Sequence, residues 1–222
     1  MKLFSADLSP FAARVRIAIY AKSLPVEILS PPGGGTKSPE YLAINPMGKI
    51  PALVLDDGTV IPESDTIVEF LADAFPDSGL RPTKPADIAR TRLLARIAEL
   101  YIMAHGGTLF GQMNPATRDA AVVDGAFEKL RDGLTHLNVF LTGDRYAVGD
   151  TLTTADAALA PVLMFTALFS RMFARPDLLE AVEFVHGFFV VMRIFFFYKF
   201  CLAHALQFPQ HMRHADIRDR KS

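Results

Sequence analysis

Proline placement constrains this chain more than any other single feature. In the first 75 residues each proline falls where an element should begin or end. Pro10 follows Ser9 and Pro39 follows Ser38. Both pairs read as a cap residue followed by proline at the first helical position, where its missing N–H is not needed. After Pro10, residues Phe11, Val15 and Ile19 recur at i, i+4 and i+8, with Ala12 and Ala18 beside them. That spacing predicts a helix with one apolar face. Lys2 to Phe4 and Val26 to Leu29 are short strands on either side of it, a βαβ unit.

Pro31 to Lys37 is a loop, and only a short helix fits between Pro39 and Asn45-Pro46. Pro51 precedes a strand at Ala52 to Leu55. Asp56-Asp57-Gly58 then turns the chain into a second strand at Thr59 to Ile61, a hairpin signal. Ser64 to Phe75 follows as a helix, with Ile67, Val68, Leu71, Ala74 and Phe75 on one side. The order β-α-β-α-β-β-α therefore predicts an α/β domain over residues 1–78. Pro76 to Pro85 carries three prolines and reads as a connection, with residues 79–85 as the linker proper.

No hairpin signal follows, so residues 86–222 are expected to form an all-α domain. Ala86 to Met113 reads as a long helix bent at Gly106-Gly107, and Asp119 to Leu141 as another. Thr153-Thr154-Ala155-Asp156 has the form of a capping box. Ala157 to Leu168 behind it is apolar on every face, which places it in the middle of a helical bundle. Glu183 to Phe208 holds seven phenylalanines between Phe184 and Phe200. Arg193 and Lys199 interrupt it, so it reads as a buried or interface helix rather than a membrane span.

Composition narrows the function classes. A net charge of -1 over 222 residues argues against a nucleic-acid binder relying on a basic surface. The single cysteine, Cys201, excludes an internal disulfide and suits a reducing, cytoplasmic setting. No secretory leader is visible at Met1 to Pro10. His211-x-x-His214 has no third ligand in view, so no metal is expected. Gly33-Gly34-Gly35-Thr36-Lys37-Ser38 lacks the spacing of a phosphate loop.

Four local features carry possible chemistry. Ser9 either caps a helix or points its hydroxyl at a ligand anion, aided by the positive helix end. Ile50-Pro51 either enters a strand or, with a cis bond, turns the Ile50 backbone outward to pair with an extended peptide. At Pro62-Glu63-Ser64, the Glu63 carboxylate suits an ammonium group and Ser64 with its neighbouring N–H groups suits a carboxylate. Lys37 and Lys49 are either solvated surface or partners for a second ligand carboxylate. Taken together they fit an α-amino-acid end on a peptide-like ligand.

Ser9-Pro10-Phe11, Arg14-Val15-Arg16-Ile17, Lys37-Ser38-Pro39, Asn45-Pro46 with Lys49-Ile50-Pro51, and Glu63-Ser64 occur in that order. This series resembles the amino-terminal domain of the glutathione transferases, most closely the serine-type, tau-like branch. Gly149-Asp150 leading into Thr153 to Asp156 resembles that family's helical-domain capping motif. The resemblance covers about residues 1–165. It implies a thioredoxin-like first domain, a helical second domain and a homodimer, with Arg90, Arg92 and Arg96 compatible with a polar interface. It further implies glutathione as cosubstrate. Ser9 would activate the thiol, with Ser5 as runner-up. Ile50 before Pro51 would pair with the cysteinyl backbone, Glu63 and Ser64 would take the γ-glutamyl end, and Lys37 and Lys49 would face the glycyl carboxylate.

The implied pocket for a hydrophobic electrophile lies between the domains, with Leu8, Phe11, Met103, His105, Phe110 and Met113 as candidates. The expected activity is thiolate attack on that electrophile. Glutathione-dependent isomerisation or dehalogenation, and a non-catalytic ligand-binding protein, are the alternatives. The Phe-rich segment and the basic tail from Pro209 depart from the family pattern.

Overall fold

The computed structural model describes residues 1–141, 145–175 and 178. Four three-residue strands, β1 (Lys2–Phe4), β2 (Glu27–Leu29), β3 (Ala52–Val54) and β4 (Val60–Pro62), form one sheet in the order β2-β1-β3-β4. β1 runs parallel to β2, with Leu3 opposite Ile28. β3 runs antiparallel to β1, with Leu53 opposite Leu3, and β4 antiparallel to β3, with Ile61 opposite Leu53. A parallel pair needs a crossover, and α1 (Pro10–Ala21) supplies it. The antiparallel pair β3-β4 needs only the Asp56-Asp57-Gly58 turn, where Gly58 takes φ +88°. α2 (Pro39–Ile44) and α3 (Ser64–Ala74) complete the expected order.

Ala12 to Ile19 are all buried, including Arg14 and Arg16. A helix buried on every side needs neighbours on both sides. α1 has α3 beside it and α7 (Thr154–Met172) across it. α7 is long and apolar enough to cross a membrane, but 72% of its apolar window is buried inside the protein. It is the core helix of the bundle, as its all-round apolarity implied. Its start is fixed by Asp156, which accepts from the Thr153 N–H at 2.8 Å, the Thr153 hydroxyl at 3.0 Å and the Ala147 N–H at 2.8 Å.

The long helix differs from the sequence reading. α4 (Pro85–Ile97) continues through a π segment (Ala98–Met103) into α5 (Ala104–Gly111). The irregularity therefore lies at 98–103, and Gly106 and Gly107 sit inside regular α5. Packing accounts for Gly106 alone, since a Cβ on Gly107 would meet nothing within 4 Å. A Cβ at Gly106 would stand 3.3 Å from the Met103 methyl and 3.4 Å from the Phe169 ring. α6 (Ala120–Phe140) approaches the π segment at Gly133, where a Cβ would fall 2.2 Å from the Tyr101 carbonyl oxygen.

The described residues belong to one compact unit. The Thr154 N–H donates to the Leu80 carbonyl at 3.1 Å, and Lys22 Nζ donates to Thr151 Oγ1 at 2.9 Å. Glu183 to Phe208, Cys201 and the tail from Pro209 lie outside the described residues.

Candidate functional site

A cleft opens beside the strand ends and is lined by Phe11, Asn45, Met47, Lys49, Ile50, Pro51, Pro62, Glu63, Ser64 and Glu99. Two turns line it, together with Phe11 of α1 and Glu99 of the π segment, and a third turn leads into α1. The first turn is Asn45 to Pro51. The Lys49 carbonyl accepts from the Tyr41 hydroxyl at 2.7 Å and from Asn45 Nδ2 at 2.8 Å. Asn45 Oδ1 accepts from the Met47 N–H at 3.2 Å. Tyr41 and Asn45 are buried, so they pin the residue directly before Ile50. The Ile50-Pro51 peptide bond is cis.

The second turn is Pro62-Glu63-Ser64. Glu63 adopts φ +67° and ψ 120° as the N-cap of α3, and its side chain makes no capping bond. An L-residue in that region carries about 1–3 kcal/mol of backbone strain. The residue is exposed and lines the cleft. Ser64, at the first position of α3, is buried beside it.

The third turn joins β1 to α1 and carries Ser9. Ser9 Oγ accepts from the Ala12 N–H at 3.2 Å, so the residue is a true N-cap. Capping uses an oxygen lone pair and leaves the hydroxyl proton to donate. The capping and ligand-facing readings of Ser9 are therefore compatible. Ser9 itself is half-buried and does not line the cleft, while Phe11, two residues on, does. Ser5 is buried, and its hydroxyl accepts from Arg16 Nη1. That points it into the protein rather than toward the cleft.

Glu99 closes the fourth side from the π segment. Arg14 Nη1, buried on α1, lies 3.6 Å from Glu99 Oε2 and 3.3 Å from Asp65 Oδ1. Burial pushes the Arg14 guanidinium below its ordinary value, and both carboxylates oppose that. Burial likewise raises the Asp65 carboxyl, with Arg14 opposing and Glu99 adding to the rise. One buried cation thus serves two carboxylates, and Glu99 Oε2 is buried without a hydrogen bond of its own. That oxygen is the one nearest Arg14, so it belongs to the ion pair with the buried guanidinium.

Of the residues singled out from sequence, the structure brings Phe11, Lys49, Ile50, Pro51, Glu63 and Ser64 to one cleft. Lys37 is exposed and does not line the cleft; its Nζ lies where a Cβ on Gly48, between the lining residues Met47 and Lys49, would be only 2.9 Å away. Leu8 is 74% exposed on the loop before Ser9. The remaining candidates do not line the cleft. Met103 is buried against Gly106 near Phe169, and Phe110 packs on Phe165 and Phe169 of α7. His105 has its imidazole pushed down by partial burial and by Lys129 of α6. Met113 is exposed beyond the end of α5. Of the three arginines compatible with an interface, Arg92 bonds Glu69 of its own chain at 3.1 and 3.2 Å.

Sequence reasoning held Asn45, Met47 and Pro62 within its candidate turns without giving them a role of their own, and missed Glu99. For Glu99 a signal existed. Arg14 sits within the apolar run of α1, and a buried arginine demands carboxylate partners.

A four-stranded β2-β1-β3-β4 sheet with α1 as the parallel crossover, followed by a helical bundle, is the thioredoxin-like plus all-helical architecture. Residues 3–79 match the family model for the glutathione S-transferase N-terminal domain, and residues 120–189 match that for the C-terminal domain. The chain is 31% identical over 170 residues to a maleylacetoacetate isomerase from Pseudomonas aeruginosa, covering 73% of this chain and 80% of that one. It is 33% identical over 174 residues to glutathione S-transferase 3 from Zea mays, covering 73% and 78%. Among solved structures it resembles a glutathione S-transferase from Methylobacterium radiotolerans in complex with glutathione sulfonate. That match has a TM-score of 0.62 and 27% identity over 86% of this chain and 93% of that one. The chain belongs to the glutathione S-transferase family.

Proposed function

We propose that this protein binds glutathione in the cleft and uses Ser9 to stabilise its thiolate for attack on a hydrophobic electrophile. The observation that carries the reading is the meeting of Ile50, Glu63, Ser64 and Glu99 on one cleft at the start of α1. Ile50 offers its backbone to the cysteinyl unit. Ser64 and the start of α3 receive the γ-glutamyl carboxylate, and Glu63, with the Glu99 carboxylate on the facing wall, receives its ammonium. Lys49, with the exposed Lys37, faces the glycyl carboxylate. The sulfur then lies toward Ser9, with Phe11 and Leu8 as the apolar surface nearest the electrophile. The reaction is placed in the cytoplasm, and the working form is a homodimer.

Magnitudes support a serine in that role. A free thiol with pKa about 8.5 is only ~3% thiolate at pH 7. A hydroxyl hydrogen bond to an anion contributes about 1.5–3 kcal/mol. A helix start adds about 0.3–1 kcal/mol. At 1.36 kcal/mol per unit, the pKa falls by about 1.3–3 units without any general base. Ser9→Ala should raise the pKa of bound glutathione by about 1–2 units and slow conjugation of an aryl halide about 10–100-fold. An unchanged thiol pKa and turnover would remove Ser9 from the mechanism.

A second reading keeps glutathione as a regenerated catalyst, and the likeness to a maleylacetoacetate isomerase favours it. In isomerisation the thiolate adds to a conjugated double bond, the adduct rotates, and glutathione leaves unchanged. Product analysis separates the two. Stoichiometric consumption of glutathione supports conjugation, and turnover without consumption supports isomerisation.

A further inference from the structure

Arg16 is buried, at 4% exposure, two turns along α1 from Ser9, and lines no part of the cleft. Its guanidinium reaches back to the loop in front of Ser9 and donates to three consecutive residues. Nη1 bonds Ser5 Oγ and the Ala6 carbonyl, the latter at 2.7 Å. Nη2 bonds the Asp7 carbonyl at 2.9 Å. The Ala6 carbonyl also accepts the N–H of Ser9 at 3.3 Å. One carbonyl oxygen thus joins the Arg16 fork to the backbone of Ser9. Ala6, Asp7 and Leu8 are themselves exposed, so the fork ties an exposed loop to a buried side chain.

From this we infer that Arg16 is a positioning residue for thiolate formation. It acts through the Ala6 carbonyl to hold the Ser9 backbone, and so its hydroxyl, at the height the sulfur requires. It also engages the Ser5 hydroxyl, which leaves Ser9, two residues before the cleft-lining Phe11, as the loop hydroxyl without an arginine partner of this kind. The geometry needs the fork of an arginine. A lysine ammonium keeps the charge but cannot span three acceptors in one plane. The inference rests on the reading of Ser9 given above.

The test is a double-mutant cycle read by the thiol pKa of bound glutathione, followed by the ultraviolet absorbance of the thiolate against pH. The variants are Arg16→Lys, the milder Ser5→Ala that removes one of the three contacts, Ser9→Ala, and each combined with Ser9→Ala. Circular dichroism selects the folded ones. Arg16→Lys should raise the thiol pKa by about one unit, with Ser5→Ala moving it less in the same direction. The Kd for glutathione should stay within about twofold, since the γ-glutamyl and cysteinyl seats lie elsewhere. Neither substitution should shift the pKa further once Ser9 is alanine, because there is then no hydroxyl to position. A thiol pKa unmoved in the folded variants, or moved equally with and without Ser9, overturns the inference alone. A pKa unmoved by Ser9→Ala itself overturns the reading of Ser9 along with it.

Discussion

Glu63 is the residue where structure and function pull apart. Its φ of +67° is a conformation that suits glycine, yet a glutamate stands there with no capping bond to repay the strain. On the proposed reading, its carboxylate is the reason to keep it. Glu63→Gly should therefore stabilise the fold by about 1 kcal/mol, the lower end of the strain it relieves. The same substitution removes one of the two carboxylates proposed for the ligand ammonium, so glutathione affinity should fall at least tenfold. Thermal unfolding and calorimetry measure the two effects. A variant that is both less stable and equally tight would show that the strain and the carboxylate have been misread.

At this scale the sequence disclosed residues whose types are unusual for their local role. Ser9, Pro51, Glu63 and Ser64 each stand at an element boundary, where chain position alone suggests a site. The roles of Glu99, Asn45 and Met47 were not legible, because they depend on what these residues face. Glu99 looks like a helical surface residue until Arg14, 85 positions earlier and buried on another helix, is seen to need it. The apolar candidates were the least legible. Met103 and Phe110 satisfy the pattern of cleft residues and of core residues equally; Met103 is buried, whereas Phe110 packs on Phe169 with its other side exposed.

Elements were read well where turn chemistry marks them. Both Ser-Pro pairs cap helices, with the serine oxygens accepting from Ala12 and Tyr41 N–H groups at 3.2 and 3.1 Å. The Asp-Asp-Gly turn pairs β3 with β4, and Asp156 closes the start of α7. The π segment had no such mark, since one extra residue in a helical turn leaves the apolar spacing nearly intact. Its imprint is on another helix, at Gly133. Two glycines of α6 make the test. Glycine to alanine in an open helical position gains about 1 kcal/mol of propensity, and Gly125 has nothing near its absent Cβ. Gly125→Ala should raise the melting temperature. At Gly133 the new carbon would meet the Tyr101 carbonyl at 2.2 Å, a backbone atom that cannot swing away. Overpacking of that kind costs about 1–3 kcal/mol. Gly133→Ala should thus lower the melting temperature and, by moving the π segment that carries Glu99, weaken glutathione binding. Two alanines shifting stability in the same direction would argue against a tight approach of α6 to Tyr101.

The whole molecule is where the expected division into residues 1–78 and 86–222 meets its main qualification, and α1 is the cause. Its run from Ala12 to Ile19 is buried all round, although one face would be enough to cover the sheet side. The other side rests on α7, so the helix that carries Ser9, Arg14 and Arg16 belongs to both halves. Arg14 reaches across to Glu99, and the Leu80 carbonyl and Lys22 make further bonds to the start of α7. A fragment of residues 1–84 keeps every strand and loses all of these. It would expose one face of α1 and leave Arg14 without Glu99, each a loss a small domain tolerates poorly. The fragment should show no cooperative urea transition by circular dichroism and no glutathione binding, whereas the full chain should unfold its sheet and bundle together. A fragment with a sharp transition of its own would mean that the bundle only covers α1, and that the cleft is built by the sheet half alone.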